Sequence, residues 1–195
     1  MIRFCIVLCC VLLAVVPCYG HVSSGSEEPV VEEIDQDPRS LWKRFTTRIR
    51  QTWNADGLDV YVPVVTWHNR LTYDSVTKYN EKPWGVGLGK QFVDEDGDSH
   101  LLYAMGFSDS NAQFQPIAGY AFLKNLYLDA GRDFAVGAGF TLSITARHEY
   151  EYIPLPLPLP VIGIQYKDFA VQAAYVPGGK NDGNVLFAWV RWHFD

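Results

Sequence analysis

From Asp59 to the C terminus the chain sustains no helical period. Apolar residues alternate with others in one short segment after another, and this pattern constrains the fold more than any single motif. The first segment sets Val60, Val62, Val64 and Thr66 against Tyr61, Pro63, Val65 and Trp67. Further segments follow at Trp84–Val93, Ser99–Phe107, 116–124, 133–146, 159–166, 169–176 and 184–194, which makes eight. Most are near the ~9–11 residues that cross a bilayer at a tilt. The expectation is an all-β fold, an eight-stranded antiparallel transmembrane β-barrel spanning residues 59–195, with a soluble lipocalin-like barrel as the alternative. The last segment puts Leu186, Ala188, Val190, Trp192 and Phe194 on one face, which suits lipid, and Phe187, Trp189, Arg191 and His193 on the other. Glu95–Asp98, 125–132 and Lys167–Asp168 connect strands at one end. The connections 74–83, 108–115, 147–158 and 177–183 lie at the opposite end. Eight strands leave a lumen for side chains or one small apolar ligand.

Composition fits once the alternation is seen. Mean hydropathy is only −0.04 although hydrophobic residues make up 48%, because a barrel spreads its apolar surface over every second residue. The aromatic share of 14% suits interfacial girdles and an apolar lumen. A net charge of −6 argues against nucleic acid as a partner. All four cysteines, Cys5, Cys9, Cys10 and Cys18, precede Gly20. Arg3, the apolar run Phe4–Val16, Pro17 and the triplet Cys18-Tyr19-Gly20 have the layout of a secretory signal peptide over residues 1–20. Lipidation at Cys18 is the competing reading, which Pro17 fits poorly. Cleavage after Gly20 leaves a mature chain without cysteine. Residues 21–37 form an acidic leader with no apolar period. Residues 38–54 then read as an N-terminal amphipathic helix. Asp37 is its N-cap candidate, Pro38 stands in its first turn, and Leu41, Phe45, Ile49 and Trp53 fall at intervals of four. With Arg39, Lys43, Arg44, Arg48 and Arg50 it suits a membrane interface; packing on a soluble core is the alternative.

Several motifs carry less than they suggest. GVGLG at 85–89 lacks the spacing and following helix of a phosphate loop, and its alternating glycines suit close backbone approach in a strand. Asp94, Asp96 and Asp98 lack the glutamate of a calcium loop, and the five histidines show no paired metal spacing, so neither metal nor cofactor is expected. Tyr152–Pro160 (YIPLPLPLP) reads as a stiff connection leading into the sixth strand, with a polyproline ligand as the alternative. Proline cannot donate to a ladder, so a lipid could enter a barrel sideways there. Pro63 and Pro83 flank the first long connection, and Pro160 and Pro177 a later strand pair. His68, Asp109 and Ser110 fall at the same barrel end. Histidine can take a proton near neutral pH, and Asp and Ser can position or polarise a group. Adjacent Asp and Ser do not suit a linear Asp–His–Ser triad, and a strand-end His beside an ordinary turn is the plain alternative.

At these residues the sequence resembles the outer-membrane lipid A palmitoyltransferase family (PagP). The stretches that carry the resemblance are YVPVVTWHNRLTY (61–73), YNEKPWG (79–85), LYAMGFSDS (102–110), PIAGY (116–120), YIPLP (152–156) and YVPGGKNDGNVLFAW (175–189), in family order over roughly residues 40–194. The resemblance implies an acyltransferase that moves a palmitoyl or similar-length chain from a phospholipid donor to lipid A in the outer membrane of a Gram-negative cell. A non-enzymatic small outer-membrane barrel is the alternative. The resemblance carries the family's catalytic His onto His68 and its catalytic Asp–Ser pair onto Asp109 and Ser110. Pro63, Pro83, Pro160 and Pro177 fall where the family has lateral lipid gates. Ala121 falls at the floor of the acyl-chain pocket, where the family often has glycine. Arg147 is a candidate phosphate contact, and the chain is expected to act as a monomer. The long acidic leader and Asp195 after Phe194 depart from the pattern.

Overall fold

The computed structural model describes residues 38–195; the expected signal peptide (1–20) and leader (21–37) lie outside the described residues. A helix, α1 (Pro38–Trp53), precedes β1 (Leu58–His68), β2 (Gly85–Val93), β3 (Ser99–Ser108), β4 (Phe114–Tyr127), β5 (Phe134–Thr145), β6 (Leu155–Tyr166), β7 (Phe169–Val176) and β8 (Val185–Phe194). Every pairing is antiparallel between sequence neighbours, and β8 closes on β1. Closure leaves no sheet edge and gives each strand one lumenal and one outer face. Tyr61, Leu101, Met105, Leu159, Val161 and Trp189 pack inside. Val62, Leu88, Phe140, Ile144, Ile162 and Val171 are exposed outside, as are Trp67, Trp84 and Phe114 towards one end and Tyr166, Trp192 and Phe194 towards the other. An apolar band between aromatic girdles is a surface built for lipid. Among the described residues no helix is long and apolar enough to cross a membrane. The expected split of the last strand is observed: Phe187, Trp189 and Arg191 are buried, whereas Trp192 and Phe194 are exposed.

The connections 69–84, 109–113, 146–154 and 177–184 define the upper end; α1 and the connections 94–98, 128–133 and 167–168 are at the lower end. The helix lies against the outside of β2 and β3. Phe45 meets the edge of Tyr120 at 5.2 Å, Arg48 bridges Asp94 at 3.4 Å and Glu95 at 3.2 Å, and Thr52 is fully buried. The expected stripe therefore divides. Phe45 and Ile49 are half-buried, while Leu41 and Trp53, with Trp42, stay exposed and extend the apolar surface of the lower end.

Two departures from the sequence pattern shape the upper end. Strand β1 does not alternate strictly. Pro63 pairs with Trp189 and Val65 with Ala188, so Val64 is an extra residue in a β-bulge. Tyr61 and Pro63 face the lumen before the bulge; Thr66 and His68 face it afterwards. Without the bulge Trp67 would point inward and His68 towards lipid. The proline run is the second departure. Instead of leading into a strand that begins at 159, it forms the upper half of β6, which starts at Leu155 and pairs with β5 throughout. Leu159 is buried and Leu155 and Leu157 half-buried towards the lumen; Pro156, Pro158 and Pro160 face outward. The three prolines share one parity, so the donors they lack all point the same way. The ladder to β5 survives, and the ladder to β7 stops at Val161–Ala174. The β1–β2 seam is shorter still, paired from Asp59–Gly89 to Tyr61–Gly87. Its glycines do permit close approach: a Cβ on Gly87 would overlap the Met105 side chain, and one on Gly89 would lie 2.8 Å from Tyr61 Cε2.

Candidate active site

The lumen of the upper half encloses a cavity of about 260 Å³. Met105, Phe107, Ile117, Leu157 and Phe187 supply apolar walls. Its lower end is a layer of Tyr103, Thr141, Leu159 and Trp189. Tyr103 Oη and Thr141 Oγ1 are 2.7 Å apart, and Trp189 Nε1 donates to Gln172 Oε1 at 3.0 Å, so the polar atoms of this layer are satisfied. Asp109, Ser110 and Arg147 stand at the mouth. The space therefore has the shape of an acyl site: an apolar tube with polar chemistry at one end.

Topology puts His68, Asp109 and Ser110 at that end, as the strand order requires. His68 ends β1 and is 1% exposed. Tyr79 stacks on its ring at 4.8 Å and Tyr73 meets it edge-on at 5.0 Å. Its Nδ1 lies 3.2 Å from Glu81 Oε1, and its backbone N–H donates to the same oxygen at 3.1 Å. Glu81 is in turn held by Arg70 through two bonds of 2.6 Å. The Arg70 guanidinium pulls the Glu81 carboxyl down from the ordinary 4.5 to about 2, against a desolvation penalty of the opposite sign. Asp109 opens the β3–β4 connection. Its Oδ1 accepts the N–H groups of Asn111 and Gln113, both at 2.8 Å, while its Oδ2 is buried without a partner among the described residues. Ser110 is half-buried at the cavity mouth. Arg147 pairs with Glu149 at 3.0 Å and keeps a buried, unpartnered Nε at the same mouth.

Some sequence expectations are not met by direct contact. Among the described residues no hydrogen bond joins His68 to Asp109 or Ser110; the carboxylate beside the imidazole is Glu81. His68 stands behind the cavity wall, to which β1 contributes Thr66. Ala121 does not line the cavity; it is buried in the core and pairs in register with Thr141 of the layer that ends the cavity. Pro63 and Pro83 are buried beside the β1–β2 seam, and Pro160 and Pro177 are exposed beside the β6–β7 seam. Sequence reasoning missed Arg70, Tyr73, Tyr79 and Glu81, because their roles arise only when the connection 69–84 folds back. That connection ties the site together. Asn80 N–H donates to Ser110 O at 2.7 Å, while its neighbours Tyr79 and Glu81 both touch His68.

Comparison with known proteins matches this architecture. A family model described as antimicrobial peptide resistance and lipid A acylation protein PagP fits residues 48–191. A protein of Proteus mirabilis (strain HI4320) called lipid A acyltransferase PagP is 54% identical over 161 residues, covering 81% of this chain and 76% of its own. Proteins of the same name from Photorhabdus laumondii and Serratia proteamaculans (strain 568) are 51% and 46% identical, the latter over 94% of this chain and 92% of its own.

Proposed function

The chain belongs to the PagP family, and we propose that it is an outer-membrane lipid A acyltransferase that takes a palmitoyl or similar-length chain from a glycerophospholipid. The observation that carries this reading is the apolar cavity whose mouth holds Asp109, Ser110 and Arg147, with His68 behind its wall and tied to Ser110 through the 69–84 connection. A phospholipid enters from the outer leaflet through one of the two interrupted seams, flanked by Pro63 and Pro83 or by Pro160 and Pro177, and its acyl chain fills the lumen. The upper end faces the cell exterior. The basic helix α1 holds the lower end at the inner face of the outer membrane, after export on a signal peptide, and the chain acts as a monomer.

The chemistry is a transesterification. His68 takes the proton of a lipid A hydroxyl, and that oxygen attacks the ester carbonyl of the donor. A new ester bond forms, the donor's acyl–oxygen bond breaks, and the proton passes from His68 to the departing glyceryl oxygen. Ser110 and Asp109 position or polarise the ester at the cavity mouth, and Arg147 holds a lipid phosphate. His68→Ala and Ser110→Ala test the reading. Both proteins should keep heat-modifiable migration on a gel, and mass spectrometry of lipid A from cells carrying them should show acyl addition reduced by ~100-fold or more. Folded variants with undiminished lipid A acylation would overturn it.

A further inference from the structure

We infer that Glu81, clamped by Arg70, is the positioning residue that sets the tautomer and orientation of His68. The inference rests on the proposal that His68 acts as the base. A carboxylate only accepts, so the 3.2 Å contact obliges Nδ1 to carry the imidazole proton and leaves Nε2 as the basic nitrogen. The ring has little freedom to do otherwise. Tyr79 stacks on one face, Tyr73 abuts it, and the His68 backbone N–H is tied to the same Glu81 oxygen that Nδ1 meets.

Glu81 is itself fixed from two sides. Its carbonyl oxygen accepts the Thr66 N–H at 3.1 Å, which anchors the connection to β1 just past the bulge. Its carboxylate is gripped by both Arg70 nitrogens at 2.6 Å. A carboxylate bonded to an imidazole, and a cation bonded to the carboxylate, form a relay whose strength can be tuned from either end. Other charged groups at this end include Asp109 and Arg147 at the cavity mouth, Glu149 against Arg147, Lys78 and Lys82 in the same connection as Glu81, the Asp74–Lys180 pair, and Asp182 on the last connection. Tyr73 and Tyr79 are the remaining titratable groups against the ring. Asp109 spends one oxygen on its own turn and, among the described residues, makes no hydrogen bond to His68; the carboxylate in contact with His68 is Glu81.

The test is the pH profile of acyl transfer by the purified, detergent-folded full chain, with a dipalmitoyl phospholipid as donor and lipid A as acceptor. Glu81→Gln removes the charge that stabilises the imidazolium, so the acidic limb of kcat should move down by about one pH unit. In the same variant kcat should fall ~10–100-fold, with the donor KM within about twofold. Arg70→Leu leaves the carboxylate unneutralised, so the limb should move up while kcat falls severalfold. Glu81→Asp should recover part of the loss. Shifts of opposite sign are a response that a merely structural role would not give. Folded Glu81→Gln with unchanged kcat and an unmoved limb overturns the inference; if that variant does not fold, an unmoved limb in Arg70→Leu does so. His68→Asn separates the two readings. If it is inactive while Glu81→Gln behaves as wild type, only this inference fails; if it is active, the base assignment fails and takes this inference with it.

Discussion

The two halves of the lumen are made by the same eight strands and filled in opposite ways. The lower half is closed by charge. Asp59 and Arg191 are fully buried and 3.4 Å apart, His193 Nδ1 meets Asp59 at 2.7 Å, and Arg191 reaches Gln91 and Gln165. Among the described residues only Nε of Arg191 in this group is left over. The upper half is an apolar cavity whose buried polar atoms at the mouth, Asp109 Oδ2 and Arg147 Nε, have no partner among the described residues. Buried polar atoms are ordinarily satisfied, and leaving them bare is costly. A protein that leaves one atom over in a packed charged cluster, and two together at the mouth of a cavity, gives up stability where an occupant arrives.

The contrast breaks first at Asp59. Asp59→Ala strands Arg191 as an uncompensated buried charge, so unfolding in urea should show a loss of about 3–5 kcal/mol. Activity per folded molecule should change little, since the cavity is untouched. A double replacement, Asp59→Leu with Arg191→Met, should recover most of that stability, because removing both charges is far cheaper than removing one. Asp109 should behave in the reverse sense. Asp109→Asn keeps an acceptor for the Asn111 and Gln113 N–H groups, so the urea midpoint should hold, while lipid A acylation should fall ~100-fold. If Asp109→Asn costs stability and leaves activity intact, the upper half is structural after all.

A smaller effect sharpens the contrast through pH. The carboxyl of Glu81 is depressed from 4.5 to about 2 in the folded protein, chiefly by Arg70. A depressed carboxyl contributes stability that is fully present above its unfolded value and lost as pH falls through its folded value. Order in the connection 69–84, followed by the NMR signals of Tyr79, should therefore persist in the wild type as pH falls from 4.5 towards 2. In Arg70→Leu it should begin to fade near the ordinary carboxyl range.

How much of this could be read from sequence depends on the range of the interaction. Alternation and turn spacing are local, and they place all eight strands, the lipid-facing side of β8 and the shared end of His68, Asp109 and Ser110. The bulge is invisible because Val64 and Val65 are both apolar, so an inserted residue leaves no mark on the pattern. The proline run misleads because proline usually punctuates; here β5 holds the strand and only the β7 side lacks donors. Glu81 is out of reach for another reason. It lies 13 positions from His68 in a polar connection, and nothing short of the folded loop relates the two.

The smallest expected effect lies at the boundary between the halves. Ala121 is buried level with Thr141 at the end of the cavity without lining it, so its methyl sets chain length only through its neighbours in that layer. Ala121→Gly removes one carbon, and the Tyr103–Thr141 contact can settle into the space. Preference should shift towards a donor longer by about one methylene, and the discrimination between neighbouring lengths should be of the order of 1 kcal/mol. Assaying Ala121→Gly and Thr141→Val against phospholipids of graded acyl length tests the boundary directly. If Ala121→Gly leaves the preference unmoved while Thr141→Val shifts it, the floor is the Tyr103–Thr141 contact alone, and Ala121 is not the floor residue that the resemblance implies.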